Sequence, residues 1–294
     1  MTEAIINRIL PFSCVDGPGN RLVIFFQGCN YQCKNCHNPY TIDMCHHCGD
    51  CIETCPTQAL TLEIIDNKKN IVWDSRTCIE CDTCLETCSR QSTPKAERYT
   101  VEQIMVLIEK HQLFINGITV SGGESTLQLA FIVELFKAVK QTPHLHHLTC
   151  MIDSNGSLGI QGWLKVLPYL DGAMLDLKAW QNDIHQELTG HSNHRVFQSI
   201  RLLAEYGKLH ELRLLLIPSI TDFDTNIEEL ALFISQIQTD NLVNIRLNAF
   251  QHHGVTGEAL NWPVCRQGDT EFLAQQLIQR GVQNILLPVV YLNH

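Results

Sequence analysis

"LVIFFQGCNYQCKNCHNP", residues 22–39, runs from an apolar segment straight into three cysteines. "LVIFFQG" reads as the first strand, and Cys29, Cys33 and Cys36 follow it within eight positions. Tetrahedral zinc sites and ordinary iron–sulfur cubanes take four protein ligands. Three cysteines with no fourth at matching spacing imply a metal site with one coordination position left open.

Working outward, the chain beyond residue 100 alternates helices and strands. Residues 100–111 carry Val101, Ile104, Met105 and Ile108 on one helical face. "GITVSGG" reads as a strand, 126–140 as a helix, "HLTCMIDSNG" as strand and turn, 160–170 as a short helix and "GAMLDLKAW" as a strand. A helix over 194–207 stops at Gly207, and "ELRLLLIPSI", 224–238, "NLVNIRLNAF", 269–280 and "NILL" continue the pattern. Such alternation implies an α/β fold with a parallel sheet covered by helices. It amounts to about six β/α units, short of the eight in a complete TIM barrel. Reactive residues in such folds follow the C-terminal ends of strands. The cysteine trio, "SGGE", "DSNG", "DLK" and "NAFQHHG" all fall there.

The 294 residues include 45% hydrophobic ones, enough for a substantial core, and only 18% charged ones. A formal net charge of −10 with no Lys/Arg run argues against a nucleic-acid partner. No apolar stretch has the length of a membrane span, and "MTEAIINRILPF" lacks the pattern of a secretory signal. A cytoplasmic protein is expected. In a reducing compartment 14 cysteines speak for metal rather than disulfides, and eleven of them lie between Cys29 and Cys88. Cys14, Cys150 and Cys265 read as ordinary buried residues.

Residues 45–56, "CHHCGDCIETCP", have the C-x2-C-x2-C-x3-C-P spacing of a bacterial ferredoxin. Residues 78–89, "CIECDTCLETCS", repeat it with Ser89 for the proline. Because the fourth cysteine of such a run usually serves the other cluster, Cys45, Cys48, Cys51 and Cys88 are assigned to one cubane. Cys78, Cys81, Cys84 and Cys55 are assigned to a second. Paired zinc sites are the alternative, but this spacing suits tetrahedral zinc poorly. His46 and His47 read as exposed loop residues. The region forms an insert over 41–96, with the main domain made of 1–40 and 97–294.

"VDGPGNRLVIFFQGCNYQCKNCHNP" at 15–39 resembles the signature of the glycyl-radical-enzyme activating enzymes of the radical SAM superfamily. The ferredoxin-like insert matches a subset of them. The resemblance implies a partial (β/α)6 radical SAM barrel with an inserted two-cluster domain. It also implies three [4Fe–4S] clusters and S-adenosylmethionine as cofactors. The implied activity is reductive cleavage of S-adenosylmethionine to methionine and a 5′-deoxyadenosyl radical. That radical takes a hydrogen atom from a backbone glycine of a partner glycyl radical enzyme.

By the same resemblance Cys29, Cys33 and Cys36 hold the catalytic cluster, and Asn35, His37 and Asn38 line the S-adenosylmethionine pocket. Gly122, Gly123 and Glu124 match a Gly-Gly-Glu strand edge where backbone meets the methionine ammonium. Asp153 contributes to the nucleoside and methionine site. Asp176 and Lys178 share one side of a strand, and Lys178 suits the substrate carboxylate. A monovalent cation could sit on Asp153, Asp176 and the Met174 backbone. His252, with His253 as the other choice, would reach the methionine carboxylate. Ser154, Ser125 and Ser219 replace threonine, proline and glycine of the family pattern at positions that are not presumed ligands.

A flavodoxin or ferredoxin is the implied reductant, and a monomer is expected. The two further clusters would pass electrons inward or help dock the partner. Competing readings are a radical SAM enzyme acting on a small molecule, or a ferredoxin-type electron carrier with an inactive barrel.

Overall fold

The computed structural model describes residues 2–65, 67–238 and 242–288. The first half of the chain contributes strands β1 (Glu3–Ser13), β2 (Arg21–Phe26), β3 (Leu60–Ile65) and β4 (Lys68–Trp73), then helix α1 (Thr83–Thr87), β5 (Glu97–Thr100), α2 (Val101–His111), β6 (Gly117–Gly122) and α3 (Leu129–Gln141). There follow β7 (Thr149–Ser154), α4 (Ile160–Val166), β8 (Gly172–Leu177), α5 (Asn182–Thr189), α6 (His194–Glu205) and β9 (Leu209–Leu216). The last elements are α7 (Ile227–Ile237), β10 (Asn244–Ala249), α8 (Gln267–Gln279) and β11 (Ile285–Leu286).

β2 and β6 to β11 are parallel and lie side by side in chain order. β1 extends this sheet antiparallel beyond β2, and β5 extends it antiparallel beyond β1. β11 and β5 are the two ends of the order, so the sheet does not close on itself among the described residues. The segment from Leu22 is therefore not the first strand, because β1 precedes it. β1 reads poorly in sequence, since its burial alternates only in part and two irregularities interrupt its pairing with β2.

Side chains of a strand point alternately to its two faces. Leu22, Ile24 and Phe26, then Ile118 and Val120, Cys150 and Ile152, and Leu175 and Leu177 face the helices and join one core. Each fully buried Leu or Ile there contributes roughly 1.5–3 kcal/mol. The intervening residues of β6 to β9 put Thr119, Ser121, Asp153, Asp176, Glu211 and Arg213 on the opposite face. At the N-terminal end of the strands Arg21 is fully buried and donates to Thr119 Oγ1, Thr149 Oγ1 and the carbonyls of Pro18, Ile118 and Thr149. Burial lowers its pKa to about 10.

α2 begins with a reciprocal capping box between Thr100 and Gln103, which fixes where helix follows the edge strand. Between β2 and β5 the chain leaves the sheet. β3 and β4 form a separate two-stranded hairpin, and Cys51, Leu60, Ile71 and Cys84 make a small core of their own beside it. Among the described residues no helix is long and apolar enough to cross a membrane. Cys150 and Cys265 are buried, whereas Cys14, expected inside, is exposed with its thiol 3.1 Å from Asn20 Oδ1.

Candidate active site

A cavity of about 450 Å³ opens at the C-terminal ends of the parallel strands. Cys29, Cys33 and Cys36 line it together with Asn35, His37, Asn38, Gly122, Gly123, Asp153, Asp176 and Lys178. Residues from four separate stretches of sequence thus meet in one place, each just past or at the end of its strand.

The three-cysteine loop is held from below by α5, a helix that the sequence pattern does not predict. Gln32 N donates to Thr189 O at 3.1 Å and Lys34 N to Leu188 O at 2.9 Å. The loop amides therefore satisfy carbonyls at the helix C-terminus that have no partner within the helix. Gly190, at φ 79°, ends the helix. Tyr31, which no sequence motif singles out, is buried and stacks on His191 at 5.0 Å. Burial raises the Cys29 thiol to about 12 and the Cys33 thiol to about 11, and pushes Cys36 up as well. A metal bound here would have to displace those protons.

Gly122 and Gly123 face backbone. A Cβ on Gly122, whose φ is +123°, would sit 2.3 Å from the Phe26 backbone, and one on Gly123 would sit 2.4 Å from Gly28 O. Their lack of side chains lets β6 close against the start of the cysteine loop. Glu124 is not among the residues lining the cavity. Its buried carboxylate accepts from Thr126 N and Oγ1, Ser154 Oγ and Asn155 N, and so clamps the exit of β7. Burial pushes its pKa up against those four hydrogen bonds.

Lys178, Asp176 and Asp153, which line the cavity, are held in ion pairs. Lys178 Nζ lies 2.7 Å from Asp176 Oδ2. Arg213 Nη1 lies 2.8 Å from Asp153 Oδ1, its Nε lies 2.6 Å from Glu211 Oε1, and Arg246 Nε meets the same oxygen at 2.9 Å. Ser121 Oγ donates to Asp153 Oδ2 at 3.0 Å. Burial disfavours the Lys178 ammonium, yet Asp176 and the neighbouring thiols hold its pKa above the usual lysine value. Burial also raises both carboxyls, but Lys178 and Arg213 bring Asp176 below its ordinary range, while Asp153 stays above it. Arg213 and Lys178 thus already engage the two carboxylates that the sequence offers to a monovalent cation.

His252 is not brought to the cavity. Its Nε2 lies 2.8 Å from Trp262 O, and its ring is exposed and packs edge-on to Phe250. Asn248 of β10 lines the cavity instead. The alternation of β10 carries that signal, because Leu247 beside it belongs to the core. His37 lines the cavity beside Phe250, with its pKa lowered by burial and then by Lys178 and His253.

The two other cysteine runs are copies in backbone as well as in sequence. His47, Gly49 and Gln58 have positive φ, and so do Glu80, Asp82 and Gln91, each 33 positions further on. Ile52 N to Gly49 O recurs as Leu85 N to Asp82 O, and Gln58 N to Cys55 O as Gln91 N to Cys88 O. Amides point at sulfur in both copies: His47 N at Cys45 Sγ and Glu80 N at Cys78 Sγ. Cys55, Cys78, Cys81 and Cys84 line one small cavity. His47, expected to be an exposed loop residue, is half-buried, and its Nδ1 accepts from Ile71 N at 3.0 Å. Among the described residues no three His, Cys, Asp or Glu side chains converge as they would on a single ion.

The model of the radical SAM superfamily matches residues 23–234. The chain is similar to the choline trimethylamine-lyase activating enzyme of Oleidesulfovibrio alaskensis, 27% identical over 310 residues with 99% of each chain covered. It is similar to the 4-hydroxyphenylacetate decarboxylase activating enzyme of Clostridium scatologenes, 30% identical over 276 residues, covering 86% of this chain and 85% of that one. Among solved structures, QueE from Escherichia coli shares the fold at a TM-score of 0.52 and 11% identity, covering 99% of this chain and 96% of that one.

Proposed function

Because the chain belongs to the radical SAM superfamily and within it to the glycyl-radical-enzyme activating enzymes, we propose that it generates the glycine radical of a partner enzyme. A [4Fe–4S] cluster with bound S-adenosylmethionine would supply the 5′-deoxyadenosyl radical that takes hydrogen from that glycine. The observation that carries the reading is the meeting of Cys29, Cys33 and Cys36 with Lys178, Asp153 and Asp176 around one cavity. Three thiolates suit a cubane and leave one iron for an amino acid to chelate.

The residues then divide the work. Cys29, Cys33 and Cys36 hold the cluster. Lys178, with one donor on Asp176, has others for the methionine carboxylate. Asp153 meets the ammonium or the ribose, fixed in place by Ser121 and Arg213. Gly122, Gly123, Asn35, His37 and Asn38 shape the walls, and Glu124 acts by holding the β7 exit. A ligand held by these groups would be oriented by side chains that are already fixed in place.

In the insert, placed over 41–96, Cys45, Cys48, Cys51 and Cys88 hold one further [4Fe–4S] cluster and Cys55, Cys78, Cys81 and Cys84 another. The shared cavity of the second set and the repeated backbone turns support this ferredoxin-like reading. The main domain, 1–40 and 97–294, is a partial (β/α)6 barrel. The reductant is a flavodoxin or ferredoxin, and the chain works in the cytoplasm as a monomer.

The test is 5′-deoxyadenosine formation by anaerobically reconstituted protein with dithionite and S-adenosylmethionine. Product is expected from the natural chain and not from Cys33→Ala. No product from a chain carrying about 12 irons, the content of three cubanes, would reject the reading.

A further inference from the structure

Four buried side-chain polar atoms lack a hydrogen-bond partner among the described residues, and three of them surround the cysteine loop. They are Tyr31 Oη, Asn35 Oδ1 and His185 Nε2. Leaving a buried hydroxyl unpaired is costly, so such a group points to an occupant.

Tyr31 stands between Cys29 and Cys33 and lines the cavity with them. Its ring is 2% exposed. His191 covers one face at 5.0 Å with 14° between planes, and His185 meets the ring edge-on at 5.8 Å and 82°. His185 is itself fixed, its Nδ1 lying 2.7 Å from His191 O. Neither imidazole accepts the hydroxyl, and the residue lines the same cavity as the three cysteines. The Tyr31 amide already donates to Cys29 Sγ at 3.4 Å. The phenol has therefore been built into the wall around the cysteines, rigidly and with its donor unspent.

We propose that the Tyr31 hydroxyl donates a hydrogen bond to a sulfur of the cluster held by Cys29, Cys33 and Cys36, and thereby raises that cluster's reduction potential. This rests on the reading that the trio holds a cluster. Reduction adds negative charge to the cluster, and a donor on its sulfur stabilises the reduced form more than the oxidised one. Tyr31 is a positioning residue in this sense: it acts on the electron-donating group and not on the glycine. α5 and the His191 turn hold it there.

The experiment is an EPR-monitored redox titration of the anaerobically reconstituted full chain, following the signal component that changes when S-adenosylmethionine is added. Tyr31→Phe keeps the stacked ring and removes the donor. A midpoint more negative than that of the natural chain, at equal iron content, is the expected result. An unchanged or less negative midpoint overturns the proposal. So does an unchanged midpoint with weakened S-adenosylmethionine binding, which would give the hydroxyl to that ligand instead. If Tyr31→Phe loads less iron, 3-fluorotyrosine at position 31 replaces it. A stronger donor should then move the midpoint less negative, and no movement overturns the proposal. A natural chain that assembles no cluster on the trio would reject the functional reading and this inference together. A normal trio cluster with no response to position 31 rejects only the inference.

Discussion

Arg213 Nη1 reaches Asp153 Oδ1 at 2.8 Å, from β9 to β7 past the intervening β8. Both side chains are mostly withdrawn from solvent, at 13% and 17% exposure. The pair ties the carboxylate that faces the cavity to Glu211 and Arg246 behind it. Breaking one partner of a buried pair leaves the other charge uncompensated and costs about 3–5 kcal/mol. Arg213→Met should lose stability of that order in denaturant unfolding and also weaken S-adenosylmethionine binding. A variant as stable as the natural chain would show that the pair is not structural.

The Glu211 carboxyl gives a pH signature. Burial would raise its pKa, but the Arg246 hydrogen bond and the Arg213 charge hold it below the usual carboxylate range. A depressed folded-state pKa contributes stability that is complete above the unfolded value, about 4.3, and is lost as pH falls through the folded value. Glu211→Gln should therefore be less stable than the natural chain at pH 7 by about 3 kcal/mol. The difference should shrink in acid below about pH 4.3. Parallel stability curves from neutral to acid pH would contradict this.

Lys178 is expected to act on affinity. Lys178→Met removes a charge-assisted hydrogen bond worth about 1.5–3 kcal/mol, so S-adenosylmethionine binding should weaken by one to two orders of magnitude. Iron content should stay as in the natural chain, because Lys178 is no ligand. Equilibrium dialysis showing undiminished binding would remove Lys178 from the site.

Gly123→Ala would place a methyl group 2.4 Å from Gly28 O. The start of the cysteine loop must then move. Iron is expected to drop by about four per chain, since one cubane carries four. Full iron loading of the variant would show that the contact is not needed to form the trio site.

Much of the fold and of the site is legible in the amino-acid sequence. The cysteine trio, "DLK" and the two cysteine runs are local patterns visible without a structure, and the alternating strands reveal which face meets the helices. What the sequence hides depends on distant residues. No sequence motif singles out Arg213, and only the register of β9 against β8 and of β8 against β7 brings it to Asp153. α5 buries His185 and Thr189 beside Leu188, so no apolar stripe announces it. Tyr31 is hidden by the cysteines around it. His252, expected at the methionine carboxylate, is not among the residues lining the cavity, because a loop histidine near a strand end has no register to fix it, and its ring lies against Trp262 O.

The central claim is hydrogen abstraction from a partner's glycine. The direct measurement mixes the reduced chain and S-adenosylmethionine with glycine-deuterated choline trimethylamine-lyase, 4-hydroxyphenylacetate decarboxylase or pyruvate formate-lyase, each in turn. Deuterium should appear in 5′-deoxyadenosine as a glycyl-radical EPR signal appears in one of the three proteins. Steady formation of 5′-deoxyadenosine with neither deuterium nor a glycyl signal from any of them would contradict the account.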